Sequence, residues 1–342
     1  MELKNIHKAY DTVVVDSVSL TIPKNQLTAF IGPNGAGKST LVSIMSRLLQ
    51  KDSGQLWIKG KEIEAWNSKE LAKELSVLKQ NQSFQVSLTV EELVSFGRYP
   101  YSKGKLSTLD YQMIDQALKH TNLLELRERS IQTLSGGQMQ RVFIAMVLAQ
   151  DTEIVLLDEP LNHLDLKQAV EIMKLLRYMV ENLDKTVVIV MHDLNMAINF
   201  SDYLVAFKEG KCEFHGKTMD VVTNQTLSEL YEIDIEVIEV SGKKYITVKL
   251  ERNMKKLLTT VVMGATFLLA SCGTKTTNVT PTTQENSVKQ VQLTDGSETV
   301  EVKSNPKKIV TFDLGAADTL RAIGKEEVIA GIPTKTLPTY IK

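Results

Sequence analysis

A glycine-rich segment near the start of the chain has the residue types and spacing that bind phosphate. It reads Gly32-Pro33-Asn34-Gly35-Ala36-Gly37-Lys38-Ser39-Thr40. Glycines let the backbone curl so that several N–H groups point at one anion, and a helix that follows offers its positive end to the same charge. Lys38 can reach the β- and γ-phosphates of a nucleotide, and the Ser39 hydroxyl can hold Mg²⁺. A glycine-rich turn without a ligand is the alternative, but the apolar run before it and the helical pattern after it favour nucleotide binding.

Two carboxylates follow a short, wholly apolar run later in the chain. The run from Ile154 to Leu157 predicts a buried central strand, and Asp158 and Glu159 come directly after it. Asp158 can there bind Mg²⁺ through water, and Glu159 can polarise an attacking water molecule as a general base. A pair of solvated acids at a strand end is the alternative, and the phosphate-binding loop makes the catalytic interpretation stronger.

Two further polar residues follow predicted strands. His192 comes after the apolar run from Thr186 to Met191, and Gln80 comes after the short strand at Val77-Leu78. A parallel strand would deliver the imidazole of His192 to the same sheet edge, near the γ-phosphate. A lone His at a strand end is more often structural, and a lone Gln usually has no role, so only this placement favours function.

A second anion-binding surface is predicted where Leu134-Ser135-Gly136-Gly137-Gln138 opens a helix that continues to Leu148. Its glycines and the free N–H groups of the helix start suit a phosphate. One chain would then carry two phosphate-binding surfaces, each incomplete alone. This arrangement suggests that two copies pair head to tail.

The elements that must position these groups alternate between strands and helices. Apolar and polar residues alternate from Val13 to Ile22, which indicates half-buried antiparallel strands. The later alternation favours an α/β fold with a doubly wound parallel sheet. The predicted segments are a strand at Leu27 to Ile31, a helix from Leu41 to Leu49, a hairpin around Gly54 to Lys61, a helix capped by Ser68, a helical insertion from Thr89 to about Leu148 with a loop at Pro100 to Gly104, a helix from Leu166 to Val180 and a closing hairpin from Ile235 to Leu250.

Composition limits the class of protein. The 342 residues predict one large domain or two smaller ones, and a formal net charge of -1 argues against nucleic acid as a partner. The two cysteines, Cys212 and Cys272, are too few for a disulfide framework, which favours a reduced, cytosolic main body. No apolar run follows Met1, so an N-terminal signal peptide is not expected.

Taken in chain order, these motifs resemble the ATPase subunits of ABC transporters. The resemblance covers residues 1–252. It implies a P-loop NTPase fold with an antiparallel β subdomain and a helical subdomain at about 86–150. It also implies ATP and Mg²⁺ as ligands, a homodimer of ATPase domains and an integral membrane permease as partner, with the chain at the cytoplasmic face of the bacterial plasma membrane.

The resemblance also implies roles for single residues. Tyr10 stands where the family's adenine-stacking aromatic lies, and Gln80 matches the lid glutamine that contacts Mg²⁺ and the permease. Asp165 matches the loop that crosses the dimer interface, and His192 matches the switch histidine. In this family, the start of one helix closes on the ATP that the partner subunit holds. That helix start corresponds here to Ser135, Gly136, Gly137 and Gln138.

The substrate class is predicted from a shorter stretch. Phe96-Gly97-Arg98-Tyr99-Pro100-Tyr101 is similar to the corresponding segment of importers of ferric siderophores, haem and cobalamin. In that group the region beyond the lid glutamine receives a coupling helix from the permease. An aromatic loop that only packs on the helical subdomain is the alternative.

The C-terminal part resembles the start of a second protein. Residues 254–272 are similar to a lipoprotein signal, with Lys255 and Lys256 before an apolar run and Cys272 as the lipidation candidate. A polar stretch at 273–304 predicts a flexible linker. Residues 305–342 resemble a truncated β-α-β unit of a siderophore-binding lipoprotein, such as those for petrobactin-like catecholates, with strands at Ile309 to Phe312 and Val328 to Gly331 and a helix at Ala316 to Ile323.

These features favour a fusion of two neighbouring transport genes. They also predict additional membrane anchoring through residues 257–270. An extracellular siderophore-binding lipoprotein is expected as an indirect partner. The alternatives are an ATPase for haem or cobalamin import, a non-functional fusion product, a soluble ABC ATPase that acts on ribosomes or DNA, and a binding module. Soluble ABC ATPases usually carry tandem cassettes or a long coiled-coil insertion, and neither pattern is visible here.

Overall fold

A computed structural model of the protein describes residues 1–79 and 87–248, and beyond these the backbone of four short strands between 290 and 331. The chain divides into two compact units, 1–254 and 255–342. The first unit contains β1 (Glu2–Ala9), β2 (Val13–Thr21), β3 (Leu27–Ile31), α1 (Lys38–Met45), β4 (Ser53–Ile58), β5 (Lys61–Glu62), α2 (Ser68–Glu74), β6 (Leu75–Leu78), α3 (Val90–Ser95), α4 (Tyr99–Ser102), α5 (Thr108–His120), α6 (Gly136–Gln150), β7 (Ile154–Asp158), α7 (Leu166–Leu183), β8 (Thr186–Val190), α8 (Leu194–Phe200), β9 (Tyr203–Lys208), β10 (Lys211–Lys217), α9 (Thr218–Val221), α10 (Asn224–Tyr231), β11 (Ile235–Val240) and β12 (Lys243–Val248).

The central sheet of the first unit has the strand order β10-β9-β3-β8-β7-β6 among the described residues. All neighbours from β9 to β6 pair in parallel, and β10 is an antiparallel edge strand. Val190 of β8 lies opposite both Phe30 of β3 and Asp158 of β7. The carboxyl ends of these three strands therefore meet at one edge of the sheet, where parallel α/β sheets place their ligands.

Two hydrophobic cores cover the two faces of this sheet. Alternate residues of β3 face opposite ways, so Ala29 belongs to the core beneath α5, α6, α7 and α8, whereas Phe30 belongs to the other. That other core is closed by α1 and by an antiparallel sheet of order β2-β1-β4-β5. Burial on both faces explains why β3, β7 and β8 are mostly apolar, with one polar residue each. The predicted α/β class with an antiparallel subdomain is confirmed.

Helices α3 to α6 occupy most of the insertion between β6 and β7. A buried pair joins them, because Arg98 Nε donates to Asp110 Oδ1 at 2.8 Å and Arg98 also donates to the carbonyl of Ala149 at 2.8 Å. The prediction of a loop from Pro100 to Gly104 is wrong in part, since Tyr99–Ser102 form a short helix. Proline is tolerated in a first helical turn, where its missing N–H would have had no partner in the helix.

A second local prediction is also wrong. The cap of α2 is Asn67, whose side chain accepts from the backbone N–H of Lys69, and Ser68 is the first helical residue. Asn and Ser cap helices about equally well, so sequence alone could not choose between these neighbours.

The second unit contributes β13 (Gln290–Asp295), β14 (Glu298–Lys303), β15 (Ile309–Val310) and β16 (Ile329–Gly331). β13 and β14 form an antiparallel hairpin inside the stretch predicted as a linker, and β15 pairs with β16 in parallel. The signal-like segment 254–272, its Cys272 and the helix predicted at Ala316 to Ile323 lie outside the described residues. None of the described helices is long and apolar enough to cross a membrane.

Candidate functional site

The phosphate-binding loop joins β3 to α1, and its path requires glycine at two positions. Gly32 and Gly37 have φ values of 136° and 91°. A Cβ on Gly32 would lie 2.0 Å from the backbone oxygen of Phe207, and one on Gly37 would lie 2.3 Å from that of Val14. Because both neighbours are backbone atoms, they cannot move aside as a flexible side chain could. α1 begins directly after the loop, so its first turn leaves free N–H groups there.

Lys38 is buried at the base of this loop. Its ammonium group donates to the carbonyl oxygens of Gly32 and Pro33, each at 2.8 Å. Burial holds the pKa of Lys38 below its ordinary value, although the nearby carboxylates of Glu159 and Asp158 act in the opposite direction. A phosphate brought beside the ammonium group would favour its charged form further.

Ser39 and Asp158 meet although they are far apart in the chain. The Ser39 hydroxyl donates to Asp158 Oδ1 at 2.7 Å. Burial raises the pKa of Asp158, with the nearby charge of Glu159 adding to the effect. A hydroxyl and a carboxylate fit Mg²⁺, which takes few protein ligands and completes its shell with water and phosphate oxygens. Among the described residues no cluster of three or more His, Cys, Asp or Glu side chains could hold a metal ion.

Glu159 lies one residue beyond β7, and both of its carboxylate oxygens have a partner. Oε1 lies 2.7 Å from Nε2 of His192, and Oε2 accepts from Nδ2 of Asn162 at 2.6 Å. Glu159 has a φ of 52°, in the left-handed region that costs a non-glycine residue energy. The surrounding contacts therefore hold the carboxylate in one place and direction.

The side chains of Lys38, Ser39, Glu159 and His192 share one cleft of about 150 Å³. Its lining joins the sequence-predicted loop to both predicted catalytic side chains, and it consists of Val14, Asn34, Gly35, Ala36, Gly37, Lys38, Ser39, Thr40, Glu159 and His192. The carboxyl ends of β3, β7 and β8 bring these residues together. The arrangement can hold a phosphate chain, its metal ion and a carboxylate beside the last phosphate.

The second predicted phosphate surface lies elsewhere in the chain. Ser135 caps α6 by accepting from the backbone N–H of Gln138, whose side chain in turn accepts from the backbone N–H of Ser135. Ser135 and Gly136 are exposed, and none of the residues from Ser135 to Gln138 lines the cleft. Gly137 is buried, and a Cβ there would lie 2.3 Å from the side chain of Gln168.

The remaining predicted residues take other positions. Tyr10 is 62% exposed, with the Lys8 ammonium group 5.4 Å from its ring centroid, and it does not line the cleft. Asp165 caps α7 by accepting from the backbone N–H of Gln168 at 2.8 Å. Gln80 lies outside the described residues.

Two residues at the site had no role in the sequence-based prediction. Asn162 holds the Glu159 carboxylate, and Tyr231 accepts a hydrogen bond from the backbone N–H of Gly32 at 3.1 Å. Asn162 lies three residues after Glu159, so the tight turn between them was a usable signal. No local signal points to Tyr231, which is 199 residues from Gly32.

Comparison with known proteins gives the family. Residues 15–162 match the sequence profile described as ABC transporter. The chain is 50% identical over 245 residues to the petrobactin import ATP-binding protein YclP of Bacillus subtilis, which covers 71% of this chain and 97% of the relative. It is 41% identical over 254 residues to the iron(3+)-hydroxamate import ATP-binding protein FhuC of the same organism, which covers 73% of this chain and 94% of the relative.

A solved structure agrees with these relatives. The ATP-binding cassette MJ0796, a dimer bound to ADP and Pi in a post-hydrolysis state, is 31% identical, with a TM-score of 0.57. The match covers 64% of this chain and 98% of that one. The resemblance inferred from the motifs is confirmed, and the chain belongs to the family of ABC-transporter ATP-binding proteins.

Proposed function

We propose that this chain hydrolyses ATP to drive the import of a ferric siderophore through a membrane permease. One observation carries the catalytic part: the phosphate-binding loop, the Ser39–Asp158 pair, Glu159 and His192 meet at one cleft. The names of the relatives support the transported substrate, because they include import proteins for petrobactin and for iron(3+)-hydroxamate.

The hydrolytic step follows from where these side chains lie. The loop N–H groups and Lys38 bind the β- and γ-phosphates, and Ser39 and Asp158 supply oxygen ligands for Mg²⁺. When bound, Mg²⁺ neutralises charge on the phosphate oxygens. Glu159 accepts the proton of a water molecule as that water attacks the γ-phosphorus, and the bond from this phosphorus to the ADP oxygen breaks. His192 and Asn162 contact this carboxylate and restrict its direction.

A second copy of the chain completes the site in this proposal. Residues from Ser135 to Gln138 present an exposed helix start away from the chain's own cleft, so they suit the γ-phosphate held by the other protomer. Asp165 would lie where the two protomers cross, and Tyr10 would stack on adenine. The dimer of MJ0796 with ADP and Pi supports this assembly.

We assign the transported class from two separate parts of the chain. The stretch from Phe96 to Tyr101 is similar to siderophore, haem and cobalamin importers, and residues 305–342 resemble the start of a siderophore-binding lipoprotein. A petrobactin-like catecholate fits both resemblances, and the name of the relative YclP supports it.

Residues 254–342 are proposed as a fused lipoprotein segment, with the ATPase domain at the cytoplasmic membrane face. Lys255 and Lys256 before the apolar run favour a cytoplasmic side for the part that precedes them. Cells that express the chain without permease should therefore hold part of it in the membrane fraction through residues 257–270. A chain ending at Asn253 is the control, and equal recovery of both chains in the soluble fraction would refute the anchor.

The transport function is tested with purified permease in lipid vesicles that enclose the ATPase and carry a ferric siderophore and a siderophore-binding lipoprotein outside. ATP inside the vesicles should drive iron uptake with the wild-type chain. The Glu159→Gln variant should bind ATP with unchanged affinity but lose on the order of 100-fold or more in turnover, because it lacks the base. Substantial hydrolysis by this variant would remove Glu159 from its role, and hydrolysis without iron uptake would point to another cargo.

A further inference from the structure

The first glycine of the phosphate-binding loop is held from three sides. Its N–H donates to the Tyr231 hydroxyl at 3.1 Å, and its carbonyl accepts from Lys38 Nζ at 2.8 Å. The backbone of Phe207 lies so close that a Cβ on Gly32 would be 2.0 Å from its oxygen. Lys38 belongs to the loop and Phe207 to the central sheet. Tyr231 instead comes from α10, which the nucleotide chemistry described above does not use.

Tyr231 is fixed in this position by the elements around it. It is the last residue of α10, and Lys208 at the end of β9 donates to the carbonyl of Glu229 at 2.9 Å and pairs with Glu232 at 2.8 Å. These contacts hold the end of α10 against the strand that lies beside β3. Burial raises the pKa of Tyr231 to about 12, so its hydroxyl stays neutral at physiological pH.

The segment that carries Tyr231 also contacts α8, the helix that follows His192. We call residues 224–248, which comprise α10, β11 and β12, the C-terminal module. Within it, Asn224 accepts from the backbone N–H of Val237 at 2.8 Å. β12 in turn docks on α8, since Asn195 accepts from the N–H of Ile246 and Asn199 donates to the carbonyl of Lys244, each at 2.9 Å. α8 begins two residues after His192. The C-terminal module therefore contacts both the phosphate-binding loop and the helix that follows His192.

We propose that Tyr231 is a positioning residue for nucleotide binding, which acts by holding the N–H of Gly32 and so the start of the phosphate-binding loop. The inference rests on the ATP binding proposed above. Without the hydroxyl, the Gly32 N–H would be left with no protein acceptor in a partly buried place, which is costly. The peptide would turn toward water, and the N–H groups that follow it would no longer converge on the phosphates.

The test compares Tyr231→Phe with Tyr203→Phe in the full chain. The control also loses one hydroxyl hydrogen bond, between Tyr203 Oη and His215 Nδ1 at 2.7 Å, but at the opposite end of β9 from the loop. We expect Tyr231→Phe to raise the Kd for Mg·ADP and the KM for ATP by on the order of fivefold, with kcat nearly unchanged, because a contact that serves ground and transition states alike is lost. Tyr203→Phe should leave all three values at those of the wild type.

The thermal midpoint of each variant is measured alongside, because a purely structural hydroxyl would lower it without a selective change in KM. Unchanged Mg·ADP affinity in Tyr231→Phe, or equal shifts in both variants, would overturn the inference while leaving the ATPase proposal intact. A wild-type chain that neither binds nor hydrolyses ATP would instead refute the proposed function itself.

Discussion

At the scale of single residues, the charged side chains of the cleft each have a partner within the protein. Lys38 holds loop carbonyls, Asp158 accepts from Ser39, and Glu159 contacts His192 and Asn162. A buried charge without such a partner would cost several kcal/mol of folding free energy or would lose its charge. Each of these three charged groups therefore has a polar contact within the protein that offsets the cost of its burial.

Replacing Lys38, the cation of the phosphate-binding loop, should weaken nucleotide binding without preventing folding. In Lys38→Ala the phosphates lose a charged donor, and we expect the Kd for Mg·ATP to rise at least about tenfold, as for other truncations of buried charged contacts. Lys24→Ala, which removes an exposed lysine, is the matched control. Titration with a fluorescent ATP analogue measures both variants, and wild-type affinity in Lys38→Ala would contradict the assigned role.

At the scale of elements, a buried ion pair lies where helices of the insertion meet. Arg98 joins α4, α5 and α6, because it pairs with Asp110, donates to the carbonyl of Ala149 and lies 3.9 Å from the ring centroid of Tyr101. Gly97 next to it is required by packing, since a Cβ there would lie 2.2 Å from the Met146 oxygen. The segment that is similar to siderophore importers is thus also the place where these helices meet.

Breaking the Arg98–Asp110 pair should lower the free energy of unfolding. We expect Arg98→Met to lower the free energy of unfolding by about 3 kcal/mol, because it leaves the Asp110 carboxylate buried without its cation. Lys211→Met, which breaks the exposed pair with Asp16, should cost less than about 1 kcal/mol. Urea unfolding followed by circular dichroism measures both values. A loss of unfolding free energy in Arg98→Met no larger than that in Lys211→Met would contradict the expected cost of breaking the buried pair.

The same pair predicts a pH dependence. Hydrogen bonds from Ser107, together with the Arg98 guanidinium, hold the pKa of Asp110 below its ordinary value of 3.8. A lowered folded-state pKa of a carboxyl gives stability that is complete above the unfolded pKa and is lost as the pH falls through the folded one. The difference in stability between wild type and Arg98→Met should therefore be smaller below pH 3.8 than at neutral pH, as urea unfolding of both chains at the two pH values would measure.

At the scale of the whole molecule, one chain contributes two surfaces that do not meet within it. The cleft holds the phosphate-binding loop, and the exposed start of α6 lies apart from it. Because Ser135 is also the cap of α6, its side chain has a structural role in addition to the proposed contact with the partner's nucleotide. A test of the paired site must therefore separate the loss of the cap from the loss of the interface.

Ser135→Arg should block pairing without affecting nucleotide binding by the single chain. In the Glu159→Gln background with Mg·ATP, we expect the parent to form a dimer and the Ser135→Arg chain to remain monomeric, as measured by light scattering after gel filtration. Thr89→Arg removes an equivalent cap from α3 and costs about 1 kcal/mol of stability, so it serves as the control. A dimer of Ser135→Arg with normal affinity would place the interface elsewhere.

Much of the site could be predicted from sequence because its parts are local. Residues Gly32–Thr40, the pair Asp158-Glu159 and His192 each follow an apolar strand, and the carboxyl ends of parallel strands share one sheet edge. The family assignment from these motifs is confirmed by the relatives. The roles of the site residues stay predictions, and Gln80 and Cys272 also lie outside the described residues.

Sequence by itself determined most of the strands and helices around the cleft and which strand ends carry chemistry, since hydrophobic periodicity and glycine spacing are local properties. Only the tertiary structure decided which distant side chains meet. The contact of Tyr231 with Gly32 and the pair of Arg98 with Asp110 depend on how whole elements pack. A periodic pattern specifies the face that a helix buries, but the partner on the other side of that face is fixed only when the chain has folded.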